Sequence, residues 1–434
     1  MSWPCISTAF HGSGEFLYLP GMEATTMTST VKVPPSTNGQ AGIAKERIVS
    51  IDVLRALTMI LMIFVNDLWS LQNIPAWLGH VDANEDGMGL ADVVFPAFLF
   101  IVGLSLPYST DNRRARGDSD ASLFGHVVWR TVALIIMGVF LVNGETINAQ
   151  ATGIHRLVWN SICCLCFILI WNSYPASTNR MIIWTLRAVA IVTLITLAFL
   201  YRGGSDESVY RFGPQWWGIL GLIGWAYLVA ATVTILARNR IAIVAGAWAF
   251  FALLSILFHA GYVPDALSFI PGPILRGTLT ALTLGGVTTA LVFNYYRKNG
   301  SKLSLTSMLV AMASLMVVFY FITRPQWGIS KINETPAWLF ICSALTIGAF
   351  LLVYWLTDVW HKDSWFAIIK PAGTATLLCY LIPYFAYAAT TAIGFSLPDF
   401  ALTGAVGLLK SFLFAILCAL ITGALIRSGL RFRV

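Results

Sequence analysis

Between Trp77 and Gly103 the sequence reads WLGHVDANEDGMGLADVVFPAFLFIVG, one histidine and four acids placed directly before a long apolar run. A working histidine needs its proton held on one ring nitrogen so that the other stays available, and a carboxylate is a common holder. Asp92 can do this for His80. It is equally suited to the first turn of a helix, where the positive end of the dipole favours an acid, and Pro96 follows where proline disrupts least. Upstream, IFVNDLW puts Asn66 and Asp67 toward the far end of an apolar segment. Ionisable and amide groups inside a span are costly and usually face a cavity or a partner, so both are candidate site residues. Asp52 and Arg55, three apart in the same segment, share a helix face and read as a structural pair.

The elements that must position these groups are membrane helices. The chain has 434 residues, is 57% apolar and only 11% charged, whereas a soluble protein carries about 25% charged residues. Runs of about 20 apolar residues, the length that spans a bilayer, recur between short polar breaks. They predict an all-α polytopic membrane protein with twelve helices, near 50–71, 90–109, 125–144, 155–173, 181–201, 216–237, 240–259, 275–296, 304–323, 336–357, 371–393 and 404–427. With the N-terminus inside, 20 of the 27 lysines and arginines fall on the cytoplasmic side, as the positive-inside rule requires. Both termini are then cytoplasmic and His80 faces out. Lys331 and Lys410 are among the seven basic residues left outside.

The net charge of +7 follows from this asymmetry and calls for no nucleic acid; the expected surroundings are membrane lipid. Residues 1–46, rich in Ser, Thr, Gly and Pro, read as a disordered cytoplasmic tail ahead of a single membrane domain, 47–434, with Met22 and Met27 as alternative starts. Six of seven cysteines lie in predicted helices, so neither a disulfide framework nor a zinc motif is expected. His80, His155 and His259 fall on the outer side without metal-ligand spacing, and no metal is expected. Asn143 and Glu145 end the third helix, Arg130 begins it, and Pro383 in the eleventh frees a carbonyl that could line a cavity.

The blocks RIVSIDVLRALTMILMIFVND, GHVDANEDGMGLADVVFPAFLFIVGLS and WRTVALIIMGVFLVNGE resemble the opening of the heparan-α-glucosaminide N-acetyltransferase family of transmembrane acyltransferases, and especially its bacterial NagX-type members. WWGILGLIGWAYL, ISKINETPAWLFICSA and PAGTATLLCYLIPYF extend the likeness toward the C-terminus. The resemblance implies that acetyl-CoA from the cytosol donates its acetyl group to the amino group of a glucosamine-type sugar across a bacterial inner membrane. It implies His80 as the catalytic histidine, Asn66 as the second active-site residue, Asp92 as the aspartate of the ADxVFP motif, and a homodimer. Ala375 departs from the pattern, standing where relatives often have asparagine.

The residue types suit that chemistry. An amine attacking a thioester must lose a proton, and histidine accepts one near neutral pH. A side-chain amide such as Asn66 suits the oxyanion of the tetrahedral intermediate. Asp67, Asp82, Glu85 and Asp86 would attract a sugar ammonium. Arg113, Arg114 and Arg116, with Arg130 beyond them, offer forked donors for the phosphates of CoA on the inner side; positive-inside topology predicts the same cluster. His80 could instead carry the acetyl group covalently, and the spans also fit an amino-sugar (N-acetylglucosamine) transporter, which would keep its polar groups near mid-membrane in broken helices. The polar set here crowds toward one surface, which favours an enzyme.

Overall fold

The computed structural model describes residues 48–432; the tail expected over 1–46 lies outside them. The protein is an all-α polytopic membrane protein. Among the described residues, nine helices are long and apolar enough to cross a membrane, and Arg156–Trp171 and Thr376–Ala392 are shorter apolar helices. With Thr278–Asn299, a helix lies along each of the twelve expected segments, although nine rather than twelve have the length and apolarity of a span. They are α1 (Val49–Asp67), α2 (Leu90–Ala115), α3 (Asp120–Glu145), α4 (Arg156–Trp171), α5 (Arg180–Leu200), α6 (Gly218–Ala237), α7 (Ile241–His259), α8 (Thr278–Asn299), α9 (Lys302–Trp327), α10 (Pro336–Tyr354), α11 (Thr376–Ala392) and α12 (Gly404–Arg427). A small hairpin, Gly203–Ser205 against Ser208–Tyr210, links α5 to α6.

Helix ends follow local chemistry. Ser119 caps α3 by accepting from the Ser122 amide, and His155 caps α4 by accepting from the Leu157 amide, so His155 has a structural role. The start of α1 is capped from far away: the Val49 and Ser50 amides donate to the Asp358 carboxylate at 3.1 and 2.8 Å. The eleventh expected segment is broken at Ala375, whose φ of −128° and ψ of 56° separate the short helix Lys370–Thr374 from α11. Pro383 lies inside α11, so the discontinuity sits at Ala375.

The least apolar span is the most enclosed. Every residue of α8 from Thr278 to Phe293 is buried, and Thr283, Thr288 and Thr289 return their hydroxyl protons to carbonyls one turn back. Small residues let backbones approach: a side chain at Gly103 of α2 would collide with the Thr283 carbonyl, and one at Gly286 with that of Phe100. By contrast α5 and α7, richer in apolar residues, expose much of their surface, as helices facing lipid can, because hydrocarbon imposes no penalty on apolar side chains.

This packing fixes the platform for the candidate site. α2 lies against α1, α6, α8 and α10. The segment from Leu68 to Gly89, which joins α1 to α2, makes two short 3-10 turns, Leu68–Ser70 and Ala76–Leu78. It is stitched to the loop between α9 and α10. Gly87 N donates to the Ile329 carbonyl at 3.2 Å, and Asn333 Nδ2 to that of Ala83 at 2.8 Å.

Candidate active site

Asp92 is buried in the first turn of α2, its side chain 3% exposed, while the His80 ring is half exposed. Each carboxylate oxygen has a separate task. Oδ2 accepts from the Val81 and Gly89 amides, both at 3.0 Å, and so caps the helix. Oδ1 lies 2.6 Å from His80 Nδ1. An ionised carboxylate only accepts, so Nδ1 carries a proton and donates it, and a neutral ring then keeps a lone pair on Nε2. Both contacts that the sequence left open for Asp92 are present, one for each oxygen.

A third group joins them that sequence reasoning passed over. Lys331, 251 residues further along the chain, places Nζ 3.2 Å from His80 Nδ1 and 3.9 Å from Asp92 Oδ1, with its side chain only 20% exposed. Burial pulls its ammonium below the ordinary lysine range, and the Asp92 carboxylate pulls it back. Its loop is held firmly. Ile329 N donates to Asp86 Oδ1 at 2.7 Å, Ser330 N to Thr335 Oγ1 at 3.0 Å, and Trp338 Nε1 to the Asp92 carbonyl at 2.9 Å. In the sequence Lys331 was one more outer lysine; no local spacing linked it to His80.

Asn66, His80 and Lys331 line one crevice of about 30 Å³ whose remaining wall is apolar, with Met62, Val65 and Phe95 among its members. Asn66 also borders a cavity of about 840 Å³ between the outer halves of α1, α4, α11 and α12. Its walls mix rings with polar groups, including Tyr380, Tyr384, Glu145, Arg156 and Lys410. Asp67 lies there too, buried, accepting hydrogen bonds from Tyr387 Oη and from Lys410 Nζ, each at 2.7 Å. Asp67 is therefore already matched by a cation.

The other sequence candidates are dispersed. Asp86 bonds Arg324 Nε at 3.2 Å; with Glu85 and Asn84 it lines an outer pocket of about 640 Å³. Asp82 is exposed on the same loop. Arg113 pairs with Asp118, and Arg114 with Asp120; these residues lie at the opposite end of α2, about 33 Å from Asp92 at 1.5 Å per residue. Arg116 caps that end, and Arg130 of α3 lies over the Tyr227 ring of α6. The structure thus joins His80, Asn66 and Asp92 on one side and leaves the arginines on the other. His259 is engaged separately, by the Ser255 and Asn333 carbonyls. Among the described residues no three His, Cys, Asp or Glu side chains gather to hold a metal, and the six described cysteines are buried free thiols.

The family described as "Domain of unknown function (DUF5009)" matches residues 47–262, a stretch that includes Asn66, His80 and Asp92. The chain is 37% identical over 101 residues to heparan-alpha-glucosaminide N-acetyltransferase of Mus musculus and 36% identical over 101 residues to that of Homo sapiens. Each alignment covers 22% of this chain and 14% of the relative. The similarity to a transmembrane N-acetyltransferase is thus partial, and the aligned stretch is a small fraction of the length of either relative.

Proposed function

We propose that the protein is a membrane acyltransferase that moves an acetyl group from acetyl-CoA to the amino group of a glucosamine-type sugar. The observation that carries this reading is that His80, held by Asp92, opens beside Asn66 and Lys331 into a crevice of about 30 Å³ whose remaining wall is apolar. The partial likeness to the two N-acetyltransferases supports it.

In this reading the acetyl group enters the crevice and its donor extends into the adjoining larger cavity, which meets the crevice at Asn66 and Ile219. The acceptor arrives from the side of the Asp82–Asp86 loop. The sugar ammonium sheds one proton to water, the resulting amine attacks the thioester carbonyl carbon, and His80 Nε2 takes a second proton from its nitrogen as the C–N bond forms. Asn66 Nδ2 donates to the oxyanion that forms, a contact worth about 3–4 kcal/mol in a comparable oxyanion hole. The intermediate collapses with cleavage of the C–S bond, and the departing thiolate takes the proton from Nε2. Asp92 holds the ring by Nδ1 throughout and balances the imidazolium while it exists. The amide product and CoA thiol leave His80 as it began. The membrane concerned is a cytoplasmic one, with the acceptor outside.

The test is thiol release from acetyl-CoA by the detergent-purified protein, with and without glucosamine, beside His80→Ala. We expect glucosamine-dependent release with N-acetylglucosamine formed, falling at least 10²-fold in the variant. If the wild type releases nothing with several amino sugars yet moves labelled N-acetylglucosamine across liposomes, transport replaces this reading.

A further inference from the structure

We propose that Lys331 is a positioning residue that balances the charge of Asp92, so that His80 rests neutral with Nε2 free to accept a proton. The inference rests on the acyltransferase reading for its role in turnover, and on geometry for its existence. A lone carboxylate 2.6 Å from a ring nitrogen favours the imidazolium; a histidine so held would already carry the proton it is meant to accept. Lys331 supplies the opposing charge, with Nζ 3.2 Å from Nδ1 and 3.9 Å from Asp92 Oδ1. Nδ1 donates to Asp92, so the ammonium stands beside the ring as a charge and is aligned by the carboxylate. Asp92, Lys331 and a neutral ring sum to zero in a largely buried pocket; protonating the ring takes the sum to +1.

The neighbouring titratable groups are engaged elsewhere or neutral: Glu334, three residues along the lysine loop, lies 3.7 Å from Arg276. α2 presents Asp92; α10 presents the Cys342 thiol, buried beside Asp92 and Lys331; α1 presents the neutral Asn66. On the loop of His80 itself, Asp82 and Glu85 are exposed, and Asp86 is bound by Arg324 and Ile329 N. That last contact also fixes the loop: Asp86, Ser330 and Asn333 join the histidine loop to the lysine loop. An exposed lysine would not need such bracing.

The experiment is the pH profile of kcat/KM for the full chain, wild type beside Lys331→Met and Lys331→Arg. Removing the charge should raise the acid limb by about one pH unit, in keeping with a nearby charge lost from a titrating pair, with activity recovering at alkaline pH. Lys331→Arg should return the limb toward its wild-type position. Activity lowered equally at every pH, with the limb unmoved, would overturn the proposal and leave Lys331 a packing residue. The same midpoint is read without turnover from the pH dependence of His80 carbethoxylation by diethyl pyrocarbonate, followed by peptide mass spectrometry. If Lys331→Met yields no folded protein, Lys331→Gln is read in the same two ways. Wild type that forms no N-acetylglucosamine overturns the acyltransferase reading alone, and the carbethoxylation midpoints then decide the role of Lys331; turnover with unmoved midpoints overturns the role of Lys331 alone.

Discussion

The two ends of α2 carry comparable charge and use it differently. At the outer end one acid, Asp92, is sealed from solvent and its two oxygens are committed to a helix cap, a ring nitrogen and a lysine. At the inner end Arg113, Arg114, Asp118 and Asp120 pair with one another, with side chains 23–40% exposed. Exposed pairs of this kind contribute roughly 0–1 kcal/mol, and their sign serves topology. Burial is what turns a charge into a constraint, because each lone pair that leaves water needs a defined partner.

Three substitutions test that contrast, beginning with the strongest. Asp92→Asn keeps the shape but can present an N–H toward Nδ1, so the ring loses its fixed proton. Acetyl transfer should fall on the order of 10³–10⁴-fold, as when a triad aspartate is amidated, while the protein still elutes as a single species. A loss below tenfold would mean that the outer carboxylate serves the helix alone.

A second buried acid sharpens the point. Glu334, three residues beyond Lys331 on the same loop, is pushed up to about 7 by burial, only partly opposed by Arg276. Its ordinary value is 4.5, so between these limits the folded state holds a proton that the unfolded chain has released. Stability should therefore fall as pH rises through that window, and the penalty is complete above about 7, on the order of 3 kcal/mol. Glu334→Gln should abolish this slope, melting higher than wild type at pH 8 and about equally at pH 4. Parallel melting curves for the two proteins from pH 4 to 8 would show that Glu334 is not held in this way.

The smallest effect belongs to the inner end. Replacing Arg113, Arg114 and Arg116 together with glutamine should leave the KM for acetyl-CoA within about twofold, since Arg113 and Arg114 already have acidic partners and exposed pairs contribute little. A rise of tenfold or more would restore them as anchors for the CoA phosphates.

The sequence by itself determined an all-α membrane protein and where its apolar helices run, because length and apolarity are local and a bilayer accepts few other patterns. It also offered the meeting of His80 with Asp92, twelve residues apart across one loop and one helix start, as one of two readings. What only the tertiary structure decided lies across long stretches of chain. Hydropathy could not foresee that α8, with its threonines, would be central and the more apolar α7 peripheral, since lipid and protein interiors are equally apolar and small or hydroxylated residues are favoured where helices meet. Nor could spacing join Asp67 to Lys410, 343 residues on. Lys331 was equally hidden. Its approach to His80 depends on α9 and α10 returning their connecting loop to the mouth of α2, and a contact of that kind exists only once the bundle has packed.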